Sequence, residues 1–354
     1  MLNLVTTSKS LCLAAALLVS PCRTEIHLQG AGATFPAPLY NRLVAEYQKL
    51  HPDVKIDYQA IGSGGGIKNI TESIVDFAGS DAPMSKKDLE ACGADNIVQV
   101  PSCAGAVVPA YNIPDVTGEL KFTGEILADI YMGKISMWND SRLVALNPDA
   151  KLPALAITPA WRTDGSGTTY VWTNYLCTQS ATFKETIGLG KEVKWTAGQG
   201  GKGNQGVSAV LQSTKGAIGY IEENYADENK ISYGSVKNKA GKLVKATPEA
   251  VSKAGAAAAA QMKGSVLAAN MWDQDGEATY PISSLTYLIV YKDLKNLKTR
   301  NDAQELVNFL WWATHDGQAF APKLNYAPLA PEVLKKVEEA LSTLTYKGQS
   351  IRSL

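Results

Sequence analysis

A glycine-rich turn separates a predicted strand from a predicted helix early in the chain, and this pattern constrains the fold more than any other feature. Residues 54–60 alternate apolar and polar side chains, as a half-buried strand does. They are followed by Ile-Gly-Ser-Gly-Gly-Gly at 61–66, by a predicted helix at 67–74 and by a short predicted strand from Phe77. This order is the βαβ arrangement of a parallel α/β sheet.

The remaining predicted elements fit the same α/β class. Helices are predicted over residues 37–50, 123–131, 248–267, 303–313 and 331–344, and strands over 104–111, 157–161, 216–221 and 283–291. A chain of 354 residues is longer than one small core requires and is typical of two domains.

Residues 162–168 read Arg-Thr-Asp-Gly-Ser-Gly-Thr and join the predicted strand 157–161 to a further predicted helix. The Arg162 guanidinium presents its donors in a planar fork that fits tetrahedral oxyanions. Gly165 and Gly167 allow the backbone to approach a ligand closely, and the first N–H groups of a helix lack internal partners. The segment therefore predicts anion binding. The alternative is that Arg162 forms a surface ion pair that contributes little.

Two other turns, residues 34–35 and 63–66, also precede predicted helices. Ligands of open α/β sheets bind beyond the carboxyl ends of the strands, so we expect these turns and residues 166–168 to converge on one ligand. Each feature has an alternative explanation. The first turn can simply cap a helix, the second can be only a tight turn, and Asp81 can cap the segment that follows it.

Composition argues against several classes of protein. Lys and Arg total 34, and Asp and Glu also total 34, so no overall basic field indicates a nucleic-acid partner. The three histidines are scattered and no Cys-x-x-Cys occurs, so we expect neither a metal site nor a cofactor. Cys92 and Cys103 flank a short predicted strand and are able to pair in an oxidising compartment, whereas Cys177 is predicted to be an inert core residue.

The N-terminus has the features of a signal peptide, predicted over residues 1–23. Residues 11–19 are apolar, follow Lys9 and have the length of a signal-peptide core, too short for a membrane-spanning helix. The alternative is a buried N-terminal strand or helix. The sequence before Cys22 loosely resembles a lipoprotein cleavage site, although Pro21 is unfavourable there. We therefore expect export, with a lipid anchor at Cys22 as an open alternative.

Enzymatic interpretations fit the sequence less well. Residues 164–168 resemble a nucleophile elbow centred on Ser166, but Asp164 stands where that motif requires glycine. Residues 198–204 resemble a nucleotide-binding loop, but they lack the required glycine spacing and the Ser or Thr after Lys202. We expect a binding protein and not an enzyme.

Six motifs together resemble the periplasmic phosphate-binding proteins (PstS type) of the ABC phosphate importer. They lie at residues 30–40, 61–66, 75–85, 162–168, 200–204 and 216–220, and the resemblance covers nearly the whole chain after the predicted signal peptide. It implies a two-lobed periplasmic binding protein of type II. Each lobe would be a mostly parallel sheet flanked by helices, with the ligand in the cleft between the lobes.

The resemblance also implies a division of the chain and a set of partners. Lobe one would combine residues 24–102 with 281–354, and lobe two would be 103–280. The implied ligand is inorganic phosphate, and the implied partners are separate membrane permease subunits. The mature protein is expected to be a monomer in the periplasm or another extracytoplasmic compartment.

Specific site residues follow from the family's motifs. The resemblance assigns a donor hydroxyl to Thr34 and a donor backbone N–H to Phe35. The serine of the glycine turn is Ser63, the acceptor aspartate is Asp81, and the arginine is Arg162, oriented by Asp164. Three further donors are Ser166, Gly167 and Thr168. The family often has a second serine where this chain has Gly64, and the missing hydroxyl is expected to loosen the turn slightly.

Asp81 is predicted to set the selectivity, because an ionised carboxylate only accepts hydrogen bonds and so favours an anion that still carries a proton. Other functions stay open at this point. The same fold can bind sulfate, molybdate or arsenate, and protonated arsenate would satisfy Asp81 as phosphate does. Ser166 can belong to an esterase or phosphatase, and the chain can be an extracellular adhesion or structural protein.

Overall fold

A computed structural model describes residues 25–93, 95–116 and 118–351 of the chain. The predicted signal peptide, residues 1–23, and Cys22 lie outside these residues. Within the described part of the chain, no helix is both long enough and apolar enough to cross a bilayer.

Most strands belong to one large sheet. In chain order the strands are β1 Ile26–Gly32, β2 Val54–Ala60, β3 Phe77–Ser80, β4 Ile97–Tyr111, β5 Lys121–Phe122, β6 Thr158–Arg162, β7 Gln199–Gly201, β8 Ala217–Glu222, β9 Ser232–Tyr233, β10 Ser235–Lys237, β11 Leu243–Val244, β12 Ser283–Tyr291, β13 Thr345–Tyr346 and β14 Gln349–Ser350. The large sheet has the order β2-β1-β3-β12-β4-β8-β6-β7, and β9 also pairs with β4. Two small sheets have the orders β11-β10-β5 and β13-β14.

Strand β4 divides this sheet into two halves. Its residues 97–106 pair with β12, and its residues 107–111 pair with β8. In the first half β1, β2, β3 and β4 share one direction and only β12 is reversed. In the second half β6, β7, β8 and β9 share one direction and only β4 is reversed. The predicted α/β class with mostly parallel sheets is therefore confirmed.

Helices cover the sheet. They are α1 Ala37–Leu50, α2 Ser63–Thr71, α3 Lys86–Cys92, α4 Gly124–Tyr131, α5 Ser141–Leu146, α6 Gly167–Gln179, α7 Ala181–Thr186, α8 Gly203–Ser213, α9 Glu223–Glu228, α10 Pro248–Ala254, α11 Ala258–Gln261, α12 Arg300–Thr314 and α13 Pro331–Leu341, with 3-10 helices at Asp316–Phe320 and Pro322–Leu324. Helix α2 packs on β1 and β3, and α8 packs on β6, β7 and β8. Every residue of β4 and β12 is buried, as expected for strands covered on both faces.

Two predicted helices differ from the structure in ways that have physical reasons. The glycine run at 63–66 is not a turn before a helix, because α2 begins at Ser63 and the run forms its first turn. The alanine-rich segment 248–267 is not one helix but the separate helices α10 and α11. Gly255 ends α10, and residues 265–267 instead exchange backbone hydrogen bonds with Gln99, so tertiary pairing overrides alanine propensity there.

The cysteines of the described chain are free thiols. Cys92 ends α3, where its thiol lies 3.5 Å from the Thr71 hydroxyl, and Cys103 is buried within β4. The disulfide that the sequence allowed between them is therefore not formed in this structure. Cys177 is only partly buried on α6, so it lies at the edge of the core and not within it.

We predict that Gly66→Ala destabilises the protein. A Cβ at Gly66 would lie 2.6 Å from Gly32 Cα and 2.8 Å from the Gly79 carbonyl oxygen, so α2 would have to move away from β1 and β3. Overpacking of this kind costs about 1–3 kcal/mol, which urea denaturation would measure. The control is Gly65→Ala, whose Cβ would meet only the side chain of Ile61. Equal losses in the two variants would contradict the close packing of α2.

Candidate functional site

The sequence-predicted site residues come together where helices begin at the edge of the sheet. Residues 34–35 connect β1 to α1, Ser63 opens α2, Asp81 follows β3, and residues 162–168 connect β6 to α6. The side chains of this group are almost fully buried, at 5% exposure or less for Thr34, Phe35, Ser63, Asp81, Arg162, Ser166 and Thr168. The structure therefore brings the predicted polar groups into one buried cluster at three helix N-termini.

The starts of α2 and α6 are in direct backbone contact. The N–H of Gly64 donates to the carbonyl of Gly165 at 2.7 Å. A Cβ at Gly64 would lie 3.0 Å from Gly165 Cα, and a Cβ at Gly167 would lie 2.4 Å from Asp81 Oδ2 and 2.5 Å from Ser63 Oγ. Glycine at these positions lets the two motifs meet. A serine at position 64 would crowd the backbone of Gly165. The glycine that this chain has there, where the family often has serine, therefore fits this close contact.

Arg162 is buried and held by a carboxylate. Its Nε donates to Asp164 Oδ1 at 2.8 Å, its Nη2 also donates to that carboxylate, and its Nη1 lies 3.3 Å from Thr168 Oγ1. Asp164 further accepts the backbone N–H of Gly203 at 2.9 Å. Burial opposes ionisation of Asp164, but the hydrogen bonds and charge of Arg162 outweigh it and lower the pKa of the carboxyl. The pair is thus formally neutral and fixes the orientation of the guanidinium.

Asp81 is a buried carboxyl facing the start of α6. Thr286 in β12 donates to its Oδ1 at 2.8 Å, and the backbone N–H of Asp81 donates to Ser63 Oγ at 3.2 Å. Burial raises the pKa of Asp81 to about 7, against the opposing effects of the Thr286 hydrogen bond and the Arg162 charge. Oδ2, the oxygen nearer Gly167, has only a 3.4 Å contact from the Ser63 hydroxyl. Of the two oxygens of Asp81, it is therefore the one with more capacity to accept a hydrogen bond from a ligand.

Buried side chains hold the turn at residues 34–35 in place. The Thr34 carbonyl accepts from the Tyr225 hydroxyl, and the Phe35 carbonyl accepts from the Tyr326 hydroxyl, each at 2.6 Å. The Tyr326 hydroxyl also lies 2.9 Å from Glu222 Oε2, and burial raises the pKa of the Glu222 carboxyl well above its usual range. The two successive carbonyls of this turn are therefore each held by a tyrosine from a distant part of the chain.

Sequence reasoning missed two residues of this cluster. Asn204, the second residue of α8, is fully buried and its side chain donates to Thr34 Oγ1 at 2.9 Å. Thr286 lies in the middle of a buried strand, where its sequence context resembles ordinary core. Asn204 did carry a signal in the sequence, because it is a polar residue in the first turn of a helix that follows a small glycine-rich strand. Ser63 and Thr168 also lie in the first turns of their helices.

Ser166 caps α6, since its Oγ accepts the backbone N–H of Thr169 at 3.0 Å. The histidines, which are the usual bases for a serine nucleophile, make contacts elsewhere. His27 contacts Glu25, His51 lies beside Glu305, and His315 contacts Glu338. Within the described residues, no group of three or more His, Cys, Asp or Glu side chains is arranged to hold a metal ion.

The electrostatic character of the cluster comes mainly from dipoles. Arg162 is compensated by Asp164, and Asp81 adds a further carboxyl, so formal charge does not attract an anion. The N-termini of α2, α6 and α8 carry positive partial charge and supply N–H groups without helical partners. Such an arrangement of neutral donors around one acceptor suits a small, buried, hydrogen-bearing oxyanion.

The chain is similar to one family model and to several known proteins. The model of the PBP superfamily domain matches residues 19–316. The phosphate-binding protein PstS of Pasteurella multocida is 40% identical over 318 residues, which cover 89% of this chain and 90% of that protein. The phosphate-binding protein PstS of Haemophilus influenzae is 38% identical over 317 residues, which cover 89% and 92%.

A solved structure shows the same fold. The phosphate-binding protein from Stenotrophomonas maltophilia superposes with a TM-score of 0.68 at 19% identity, covering 90% of this chain and 95% of that one. Because these two sequence relatives are 38% and 40% identical over about nine-tenths of their length, the similarity is not confined to the fold. The chain belongs to the PBP superfamily and, within it, to the PstS family of phosphate-binding proteins.

Proposed function

We propose that this protein is the substrate-binding component of an ABC importer and that it captures inorganic phosphate. The observation that carries the proposal is the burial of Asp81, as the acceptor, in the same cluster as the donors Thr34, Ser63, Arg162 and Thr168. The PstS relatives are named as phosphate-binding proteins, and one solved relative of similar fold holds bound phosphate. The proposed role is binding without catalysis, since those relatives are binding proteins.

The proposed donors have distinct roles. Arg162, oriented by Asp164, would give two oxyanion oxygens charged hydrogen bonds. The hydroxyls of Thr34, Ser63, Ser166 and Thr168 and the backbone N–H groups of Phe35 and Gly167 would serve the remaining lone pairs. No cofactor or metal is needed, because capture requires hydrogen bonds and desolvation only.

Asp81 is the proposed selectivity residue. Phosphate near neutral pH retains a proton and can donate to Asp81 Oδ2, whereas sulfate has no proton to donate. Where Asp81 is ionised, at pH values above its pKa of about 7, sulfate would instead place its lone pairs against those of a buried carboxylate. A site built around such a bond can reject the unmatched ligand by on the order of 10⁴-fold. Arsenate, which is also protonated, would pass this test.

The proposed lobes are residues 24–102 with 281–354, and residues 103–280, with the site between them. Closure around the anion shifts an equilibrium between open and closed forms, and the closed form would be read by a membrane permease. The change of partner along β4, from β12 at residues 97–106 to β8 at residues 107–111, supports a division close to this one. The proposed location is the periplasm or another extracytoplasmic compartment, with a monomer as the working form and a lipid anchor at Cys22 as the alternative to a free protein.

Arg162→Ala is expected to weaken phosphate binding by at least about 100-fold, because charged hydrogen bonds contribute roughly 1.5–3 kcal/mol each. Titration calorimetry with inorganic phosphate measures the effect. Arg142→Ala is the control, since Arg142 is exposed and contacts only Asp129, Asp140 and a carbonyl away from the site. Wild-type affinity in the Arg162 variant would remove this residue from the site.

Asp81→Asn is expected to reduce discrimination between phosphate and sulfate by at least about 100-fold, because an amide can donate to sulfate where a carboxylate cannot. Competition between the two anions, followed by calorimetry or by melting temperature, measures the ratio. Unchanged selectivity in this variant would assign the discrimination to other groups.

The stability of the unliganded protein is expected to depend on the ionisation of Asp81. The pKa of this carboxyl is about 7 in the folded protein and about 4 in the unfolded chain, so its contribution is complete below about pH 4 and is lost as the pH rises through about 7. Without phosphate, Asp81→Asn should therefore raise the melting temperature more at about pH 8 than at about pH 4. The exposed Asp57→Asn is the control. A gain independent of pH would be inconsistent with a buried ionising group.

A further inference from the structure

Asn204 joins the two halves of the sheet at the proposed anion site. It is fully buried in the first turn of α8, which packs on β6, β7 and β8. Its backbone N–H donates to Thr34 Oγ1 at 3.1 Å, and its Nδ2 donates to the same oxygen at 2.9 Å. Thr34 follows β1 in the other half of the sheet. One asparagine thus directs two donors at one hydroxyl across the site.

The amide of Asn204 has only one orientation that satisfies its neighbours. Its Oδ1 accepts the backbone N–H of Glu222 at 3.0 Å. Exchanging the oxygen and nitrogen would place two donors together at that end of the amide. The Nδ2 group must therefore face Thr34 and, at 3.4 Å, Thr168 Oγ1.

This orientation restricts what the threonine hydroxyls can do. A hydroxyl has two acceptor sites and one donor hydrogen. The two N–H groups of Asn204 occupy both acceptor sites of Thr34, and the Nδ2 of Asn204 together with Nη1 of Arg162 occupies those of Thr168. Both hydroxyls consequently have only their hydrogen to offer, and so they can act only as donors.

We propose that Asn204 is a positioning residue that fixes the Thr34 and Thr168 hydroxyls as donors and ties the two halves of the site together when it is closed. The inference rests on the proposed function, because it assumes that an oxyanion accepts these two hydrogens. It has a kinetic consequence. The contact between Asn204 and Thr34 forms on closure, so it slows release of the anion and has little effect on the encounter.

A double-mutant cycle tests this role. Calorimetry with inorganic phosphate compares the wild-type protein with Asn204→Ala, Thr34→Val and the double variant. Each single substitution is expected to weaken binding by about 10- to 100-fold. If Asn204 acts mainly through Thr34, the double variant binds within about threefold of the weaker single variant, because the long contact to Thr168 is the only one of these two hydroxyl contacts left for the second change to remove. Losses that multiply in the double variant would overturn the proposal.

Rate measurements separate positioning from general damage to the fold. Stopped-flow mixing with phosphate should show that Asn204→Ala raises the dissociation rate by about 10-fold or more and changes the association rate by less than about threefold. Ser208→Ala is the matched control, since Ser208 is buried on the same helix and its hydroxyl has no partner among the described residues. A slower association with unchanged dissociation would contradict the inference.

Two further variants keep the test decisive if Asn204→Ala folds poorly. Asn204→Asp preserves the shape but replaces the Nδ2 donor by an acceptor, and it should bind phosphate no better than the alanine variant. Thr34→Ser keeps the hydroxyl and should bind within about fivefold of wild type, unlike Thr34→Val. Near-wild-type binding by Asn204→Asp would disprove the donor role. Failure of the wild-type protein to bind phosphate would instead disprove the proposed function itself.

Discussion

The site depends on the backbone contact between the first turns of α2 and α6. The hydrogen bond from Gly64 to Gly165 brings the segments that open the two helices into backbone contact, and glycine at both positions allows this approach without crowding. Both helices thus begin beside each other, and the first N–H groups of each have no partner within their own helix. The burial of Asp81 and Ser63 beneath Gly167 follows from the same contact.

Charge compensation explains how such a site can distinguish one anion from another and does not simply attract any negative charge. Asp164 neutralises Arg162, so the guanidinium offers directed hydrogen bonds with little net field. Hydroxyls whose acceptor positions are already filled can only donate, which leaves Asp81 as the acceptor side chain facing them. In the proposed function, selectivity depends on whether an anion can donate one hydrogen to Asp81, and a strongly positive pocket would not make that distinction.

The local sequence pattern predicted the order of strands and helices because buried strands and helix caps are determined by residues that are adjacent in the chain. Helix α1 and strand β12 have the predicted bounds, and Ser166 caps α6. Strand β4 begins at Ile97 and not at residue 104 as predicted. Its first part contains the polar residues Gln99 and Ser102, which are buried with hydrogen-bond partners that only the tertiary structure supplies. Thr286 and Asn204 were missed for the same reason. Their polar partners, Asp81 and Thr34, lie 205 and 170 residues away.

In the proposed function, closing the site without a ligand costs free energy, and this cost favours the open form. It buries Asp81 where desolvation raises its pKa, and it brings that carboxyl against the start of α6. An open form would return Asp81 and the helix N-termini to water, so closure is favoured only when a ligand supplies both acceptors for the donors and a hydrogen for the carboxylate. A protonated oxyanion does both. The free energy of closure is then part of the observed binding free energy, and a permease that recognises the closed form would recognise the loaded one.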